Sequence, residues 1–117
     1  MTNDKPFFGL RVSIIRWTDD SQPGWVECVL TDARGKVWSF LEKAPVVSAE
    51  DLDARSSYPR SGLIACCVLD RRNDEAGREL LLVDTANPWG IEATSGETQF
   101  EVFAEQLVDS PLQEASG

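Results

Sequence analysis

The stretch WVECVLTDARGKVWSFLE, residues 25–42, decides the fold because it holds two alternating segments joined by a tight turn. In both segments apolar residues occupy every second position, which is the period of a half-buried β-strand. Between the segments, DARG at residues 32–35 is turn chemistry, with glycine where a positive φ is often needed. The stretch therefore predicts a β-hairpin, with Trp25 and Trp38 packed in the core or against the facing strand.

Further strands are predicted on both sides of this hairpin. Residues 8–17 and 98–103 alternate, whereas residues 63–69 and 80–83 are continuous apolar runs, typical of strands that are covered on both faces. Residues 91–93 are predicted as a short strand after a sharp bend, and residues 104–108 either complete the last strand or form a short helix.

Residues 43–61 interrupt the strand pattern. Within them, SAED at residues 48–51 resembles a helix capping signature and predicts one or two helical turns over residues 49–55. The rest of this excursion is expected to be a loop that caps one end of the fold.

Six or seven short strands with polar turns and at most one short helix predict an all-β protein. We expect a small single-domain β-barrel of antiparallel strands, since closure removes sheet edges, with a β-sandwich as the alternative. Residues 1–117 are expected to form one domain with flexible termini at 1–6 and 109–117. The strand layout resembles the small barrels appended to translation factors, but no diagnostic motif accompanies it, so the resemblance implies no function.

The negative charge is concentrated at one end of the chain. The first 78 residues hold 11 basic and 12 acidic side chains, whereas residues 79–117 hold eight acidic and no basic ones, which gives the net charge of −9. This asymmetry favours a basic protein partner. It argues against nucleic acid, whose binding needs a basic stripe, and against a membrane surface.

The compartment is inferred from two features. The N-terminal residues lack a basic region followed by an apolar run, and the longest apolar run, residues 63–69, is too short to cross a bilayer. An odd number of cysteines, Cys28, Cys66 and Cys67, is no disulfide framework. We therefore expect a soluble cytoplasmic protein with buried, reduced thiols, whose oligomeric state does not follow from the sequence.

The usual elements of catalysis are missing from the sequence. It has no histidine, no glycine-rich phosphate loop and no CxxC pair. The acidic residues at 70–79 alternate with arginines and are interpreted as local ion pairs rather than a calcium site. We expect no enzyme activity, no cofactor and no metal site, although an enzyme that uses carboxylates alone is a third hypothesis.

Two kinds of residue are candidates for binding a partner. Aromatic side chains in predicted loops, Tyr58 and Trp89, are typical of interface anchors, and Trp89 is either a plug of the barrel end or an exposed anchor. The acidic candidates are Glu92, Glu97, Glu101 and Glu105. The last three share the parity opposite Phe100 and Val102, so they would form either a solvated face or an acidic docking face.

The leading functional hypothesis is a non-enzymatic protein–protein interaction module with an acidic docking face. A specific form of it is an immunity or inhibitor protein for a basic partner. The alternative is a small-ligand-binding β-barrel with tryptophans lining a cavity.

Overall fold

A computed structural model describes residues 7–20 and 24–109, which form one antiparallel sheet and a short α-helix. The elements are β1 (Phe7–Asp19), β2 (Trp25–Thr31), β3 (Val37–Lys43), α1 (Ala44–Val47), β4 (Arg60–Asn73), β5 (Glu79–Asp84), β6 (Gln99–Phe103), a 3-10 turn (Ala104–Gln106) and β7 (Leu107–Asp109). Most of the predicted flexible termini, residues 1–6 and 110–117, lies outside the described residues, and Asp109 is the last residue of β7.

The sheet has the strand order β3-β2-β1-β4-β5-β6 and is curled into a half-barrel. β1 has 13 residues, which lets one of its edges pair first with β7 at residues 8–10 and then with β2 from Ser13 onward. Its other edge pairs with β4 along residues 7–14. The predicted all-β, barrel-like fold is confirmed, and the alternative of two packed sheets is wrong because all seven strands in the described part of the chain belong to one sheet.

The β2–β3 and β4–β5 hairpin turns share one chemistry. In the β2–β3 turn the Asp32 carboxylate accepts hydrogen bonds from the N–H groups of Arg34 and Lys36, both at 2.9 Å. In the β4–β5 turn the Asp74 carboxylate does the same for residues 76 and 78, at 2.9 and 2.8 Å. Gly35 and Gly77 follow three residues after each aspartate with φ of 84° and 85°, which a side chain would strain. The predicted hairpin of β2 and β3 is confirmed. The same DxxG pattern forms the turn of the β4–β5 hairpin, whose two strands are longer than the sequence indicated.

The predicted helix lies at a different place. It was expected over residues 49–55, but α1 precedes Ser48. The Ser48 N–H makes the last helical hydrogen bond, to Ala44 O at 3.1 Å, and the extended backbone of Ser48 (φ −151°, ψ 141°) ends the helix. Pro45 stands in the first turn, where its missing N–H costs nothing. The Ser48 hydroxyl accepts from the Glu50 N–H at 3.0 Å, so it closes a tight turn rather than capping a following helix. The excursion contributes Ala44, Val47 and Leu52 to the core cluster, where all three are buried.

The strand expected at residues 91–93 is absent. The Ile91 N–H donates to Thr85 O, the Ala93 N–H to Glu97 O and the Thr94 N–H to Ser39 O, at 2.8 to 3.0 Å. Since these three amides donate to three different segments, they form no ladder with a single strand. The apolar pattern instead reports burial, because Ile91 and Ala93 are each 2% exposed.

The inner face of the curled sheet is filled by its own side chains. Buried residues from every long strand form one core cluster, which includes Leu10, Ile14, Val26, Phe40, Ile64, Val83 and Val102. β4 is buried on both faces over residues 64–67, as its continuous apolar run predicted.

We call the space between the edge strands β3 and β6 the seam. Phe100 of β6 makes edge-to-face contacts across it with Trp38 and Phe40 of β3, with ring centroids 5.2 and 5.6 Å apart. One backbone hydrogen bond supports the seam at its β2–β3 turn, from Ala33 N–H to Glu101 O at 2.8 Å. Aromatic packing at the seam therefore holds the two edges of the sheet together.

Phe100→Ala should destabilise the protein by about 3–5 kcal/mol, because it removes both ring contacts and leaves a cavity at a position that is 2% exposed. Urea denaturation followed by tryptophan fluorescence measures this loss. Val37→Ala is the matched control, since Val37 lies on β3 but is 57% exposed, and it should change stability by no more than about 0.5 kcal/mol. Equal effects of the two substitutions would contradict this account of the seam.

Candidate functional site

The loop that carries Trp89 is held in place by a buried threonine. The Thr85 hydroxyl donates to Ile91 O at 2.6 Å, and the Thr85 N–H donates to Thr98 O at 2.8 Å. Inside the loop, the Gly90 N–H donates to Ala86 O, and Gly90 has a φ of 67°, a conformation that favours glycine. Trp89 is therefore presented from a braced turn, with 45% of its surface exposed.

Trp89 lies on a surface groove of about 640 Å³. Pro45 and Val46 of α1 form part of its wall, Leu63 of β4 and Val108 of β7 contribute further apolar surface, and the first residues of β4 complete it. Two other depressions on the described surface are smaller, at about 440 and 280 Å³. Trp89 is thus an exposed side chain on a groove, not a plug of the barrel end.

The charged side chains that line the groove are Arg11, Arg60 and Glu50. Arg60 Nη2 pairs with the Glu50 carboxylate, and Arg60 Nη1 donates to Ser57 O at 3.4 Å. Arg60 Nε is buried and has no hydrogen-bond partner among the described residues. Arg11 is exposed and makes no ion pair with any residue in 7–20 or 24–109. The groove thus carries a net charge of +1 on a chain whose net charge is −9.

The four candidate glutamates occupy different settings, and none of them lines the groove. Glu101 lies on β6 opposite the buried Phe100 and Val102, as its parity predicted, but Arg72 Nη2 contacts its carboxylate at 2.6 Å and Arg34 Nε at 3.6 Å. β6 ends before Glu105, which is exposed in the 3-10 turn, and begins after Glu97, which is exposed in a tight turn. Glu101 is therefore neutralised by arginines from the first part of the chain.

Glu92 is exposed and lies close to a second acid, Glu42 at the end of β3. Partial burial raises the pKa of Glu42; the Lys43 ammonium opposes this rise and the Glu92 carboxylate adds to it. These two carboxylates concentrate negative charge at the end of the seam where the Thr94 N–H meets Ser39 O.

The other aromatic candidates are engaged within the fold. Tyr58 is half-buried against the core, and its hydroxyl donates to Asp53 O at 2.8 Å. Trp38 packs against the core as expected and donates its indole N–H to Asp32. Trp25 pairs across the hairpin with Lys43, on the face of β2 opposite Val26, and its ring lies 5.8 Å from the Lys43 ammonium.

The described residues offer few groups for covalent or metal chemistry. All three cysteines are free and buried, and burial raises the pKa of the Cys28 and Cys66 thiols to about 12, which keeps both protonated. Within residues 7–20 and 24–109, no cluster of cysteine and acidic side chains is placed to hold a metal ion. The same residues contain no helix long and apolar enough to cross a membrane.

Comparisons with protein-family models, with curated proteins and with solved structures found no match to this chain.

The sequence pointed to Trp89 but not to the groove beside it. Arg11 stands at an outward position of the alternating first strand, a signal that many surface residues share. Arg60, Leu63 and Val108 come from separate elements, and only the curvature of the sheet places them near Trp89.

Glu42→Gln should raise the free energy of unfolding at pH 7 by less than about 1 kcal/mol, because it removes a charge that the fold disfavours. Because the pKa of Glu42 is higher in the folded protein than in the unfolded chain, the folded protein binds the carboxyl proton more tightly. The stability contributed by Glu42 therefore falls as the pH rises from the ordinary pKa of a glutamate through the raised pKa of the folded state. The gain should therefore shrink as the pH falls through about 4 and vanish near about pH 3, where the carboxyl is protonated in both states.

Urea titrations at several pH values measure this difference. Glu97→Gln removes the same charge from an exposed turn and serves as the control. A gain for Glu42→Gln that is constant across the pH range, or that is matched by Glu97→Gln, would refute the role given to burial and to Glu92.

Proposed function

We propose that this chain is a non-enzymatic protein–protein interaction module that uses Trp89 as its anchor. The observation that carries this proposal is a large apolar side chain, 45% exposed, held by a braced loop on a groove with partly apolar walls. Tryptophan dominates interface hot spots because it buries much area at little cost in side-chain entropy. A rigid scaffold reduces the ordering cost of binding further.

The absence of histidine from the sequence and the protonated, buried thiols of Cys28 and Cys66 support a function without catalysis. The groove beside Trp89 and the exposed glutamates offer a partner shape and charge rather than a nucleophile or a general base with a pKa near neutrality.

The acidic composition favours a basic partner. Glu92, Glu97 and Glu105 are exposed, and none of them forms an ion pair with a described residue. Together with the net charge of −9, they would accelerate the approach of a basic protein and contribute less to the final affinity. An immunity or inhibitor protein directed against a basic toxin or nuclease is the specific form of this proposal.

The second candidate is the binding of a small ligand, which the volume of the groove favours. About 640 Å³ lies within the range of roughly 300–1,000 Å³ common for small-molecule sites. Such a ligand would occupy the groove rather than the half-barrel, whose inner face is filled by residues such as Phe40 and Phe100.

Trp89→Ala should reduce recovery of a protein partner from native cell extract by about tenfold or more, because hot-spot tryptophans contribute about 2 kcal/mol or more to binding. The measurement is affinity capture on the immobilised protein, with quantified recovery of each bound protein. Recovery by the wild type should also fall between low and physiological salt, since screening weakens attraction between the charged surfaces.

Leu69→Ala is the matched control, because Leu69 is 41% exposed and does not line the groove. A triple change of Glu92, Glu97 and Glu105 to Gln should remove most of the salt dependence while Trp89 is intact. Recovery that is indifferent both to Trp89→Ala and to salt would exclude the proposed function.

A further inference from the structure

We propose that the groove beside Trp89 binds an extended segment of the partner in which an apolar side chain stands next to an acidic one. This inference rests on the proposed function in taking the occupant to be a protein, and it adds the chemistry that the groove selects. It concerns contacts within the groove, whereas the exposed glutamates act outside it.

The apolar part of the recognition comes from the groove walls. Val46, Leu63, Trp89 and Val108 are contributed by four separate elements and form a surface that the protein itself leaves partly uncovered. An aliphatic or aromatic side chain placed against Trp89 would remove apolar surface of both partners from water, at about 25 cal/mol for each Å².

The acidic part of the recognition follows from charge complementarity. Arg11 offers a guanidinium with no ion-pair partner among the described residues. Arg60 is held by the Glu50 carboxylate and by Ser57 O, and its Nε is buried, so Arg60 adds positive charge to the groove rather than a free donor. A carboxylate beside Arg11 would gain a charge-assisted hydrogen bond, whereas a lysine or arginine there would meet like charge.

A basic partner and an acidic groove ligand are compatible because the two interactions act over different distances. None of Glu92, Glu97 and Glu105 lines the groove, so they act on the partner outside it. Their attraction reaches over roughly a Debye length, about 8 Å at physiological salt. The groove distinguishes an acidic from a basic segment only when the segment is in contact with it. The partner segment that enters it can therefore be locally acidic on a protein that is basic as a whole.

The test begins with a phage library of random 12-residue peptides selected on the immobilised full-length protein. Enriched peptides should carry Asp or Glu within two positions of Leu, Ile, Phe or Trp. A synthetic peptide from this set should lose at least about tenfold in affinity when its acidic residue is changed to the amide, the loss expected for a charge-assisted hydrogen bond.

The matching change on the protein is Arg11→Gln, which removes the charge from an exposed residue without an ion pair and should weaken the same peptide about tenfold. Arg55→Gln is the control, because Arg55 is exposed and does not line the groove, and it should leave the affinity within about twofold. Trp89→Ala should abolish measurable binding. Fluorescence anisotropy of the labelled peptide measures its affinity for the wild type and for each of the three variants.

Several outcomes would overturn this inference: enrichment of basic peptides, no enrichment at all, or equal losses with Arg11→Gln and Arg55→Gln. Binding of 4-phenylbutyrate alone would replace the protein segment by a small amphipathic acid. A concentration-dependent dimer that dissociates into monomers on Trp89→Ala substitution would assign the groove to a second copy of the chain. If partner capture depends on Trp89 while the peptide results fail, the proposed function stands without this inference. If neither depends on Trp89, both fall.

Discussion

The structure depends on the burial of the inner face of one curled sheet. A single sheet has no second layer to cover it, so its two edges must approach each other until their own side chains fill the space between them. Phe100, set between Trp38 and Phe40, supplies this contact at the seam. The buried Ile91 and Ala93 complete it from a loop rather than from another strand.

The same closure creates the groove. β1 changes partner from β7 to β2 along one edge, and its pairing with β7 places Val108 opposite Gly9, next to β4. The helix α1 contacts β4 and β3 and so forms the adjoining wall of the groove. Thr85 then fixes the loop that presents Trp89 to this depression. The candidate site is thus built from positions that lie far apart in the sequence and are held by a rigid scaffold, the arrangement in which an exposed aromatic residue costs least to bind.

Charge is distributed differently in the sequence and in space. The acidic segment after residue 78 meets arginines from earlier strands, so Glu79 pairs with Arg71, and Glu101 pairs with Arg34 and Arg72. These exposed pairs add little stability, yet they remove two carboxylates from any acidic surface. What they leave is an acidic exterior with a groove of the opposite sign.

The sequence by itself determined most of the long strands, because alternation, continuous apolar runs and turn residues are local properties. It identified the hairpin at residues 25–42, the outward parity of Glu101 and the burial of Cys66 and Cys67. It misplaced the helix because the Ser48 hydroxyl satisfies Glu50 in a turn as well as it would cap a helix. Only the tertiary structure decided between barrel and sandwich, and only it placed Arg11 and Arg60 beside Trp89, because these relations depend on strand order and sheet curvature, which no local pattern encodes.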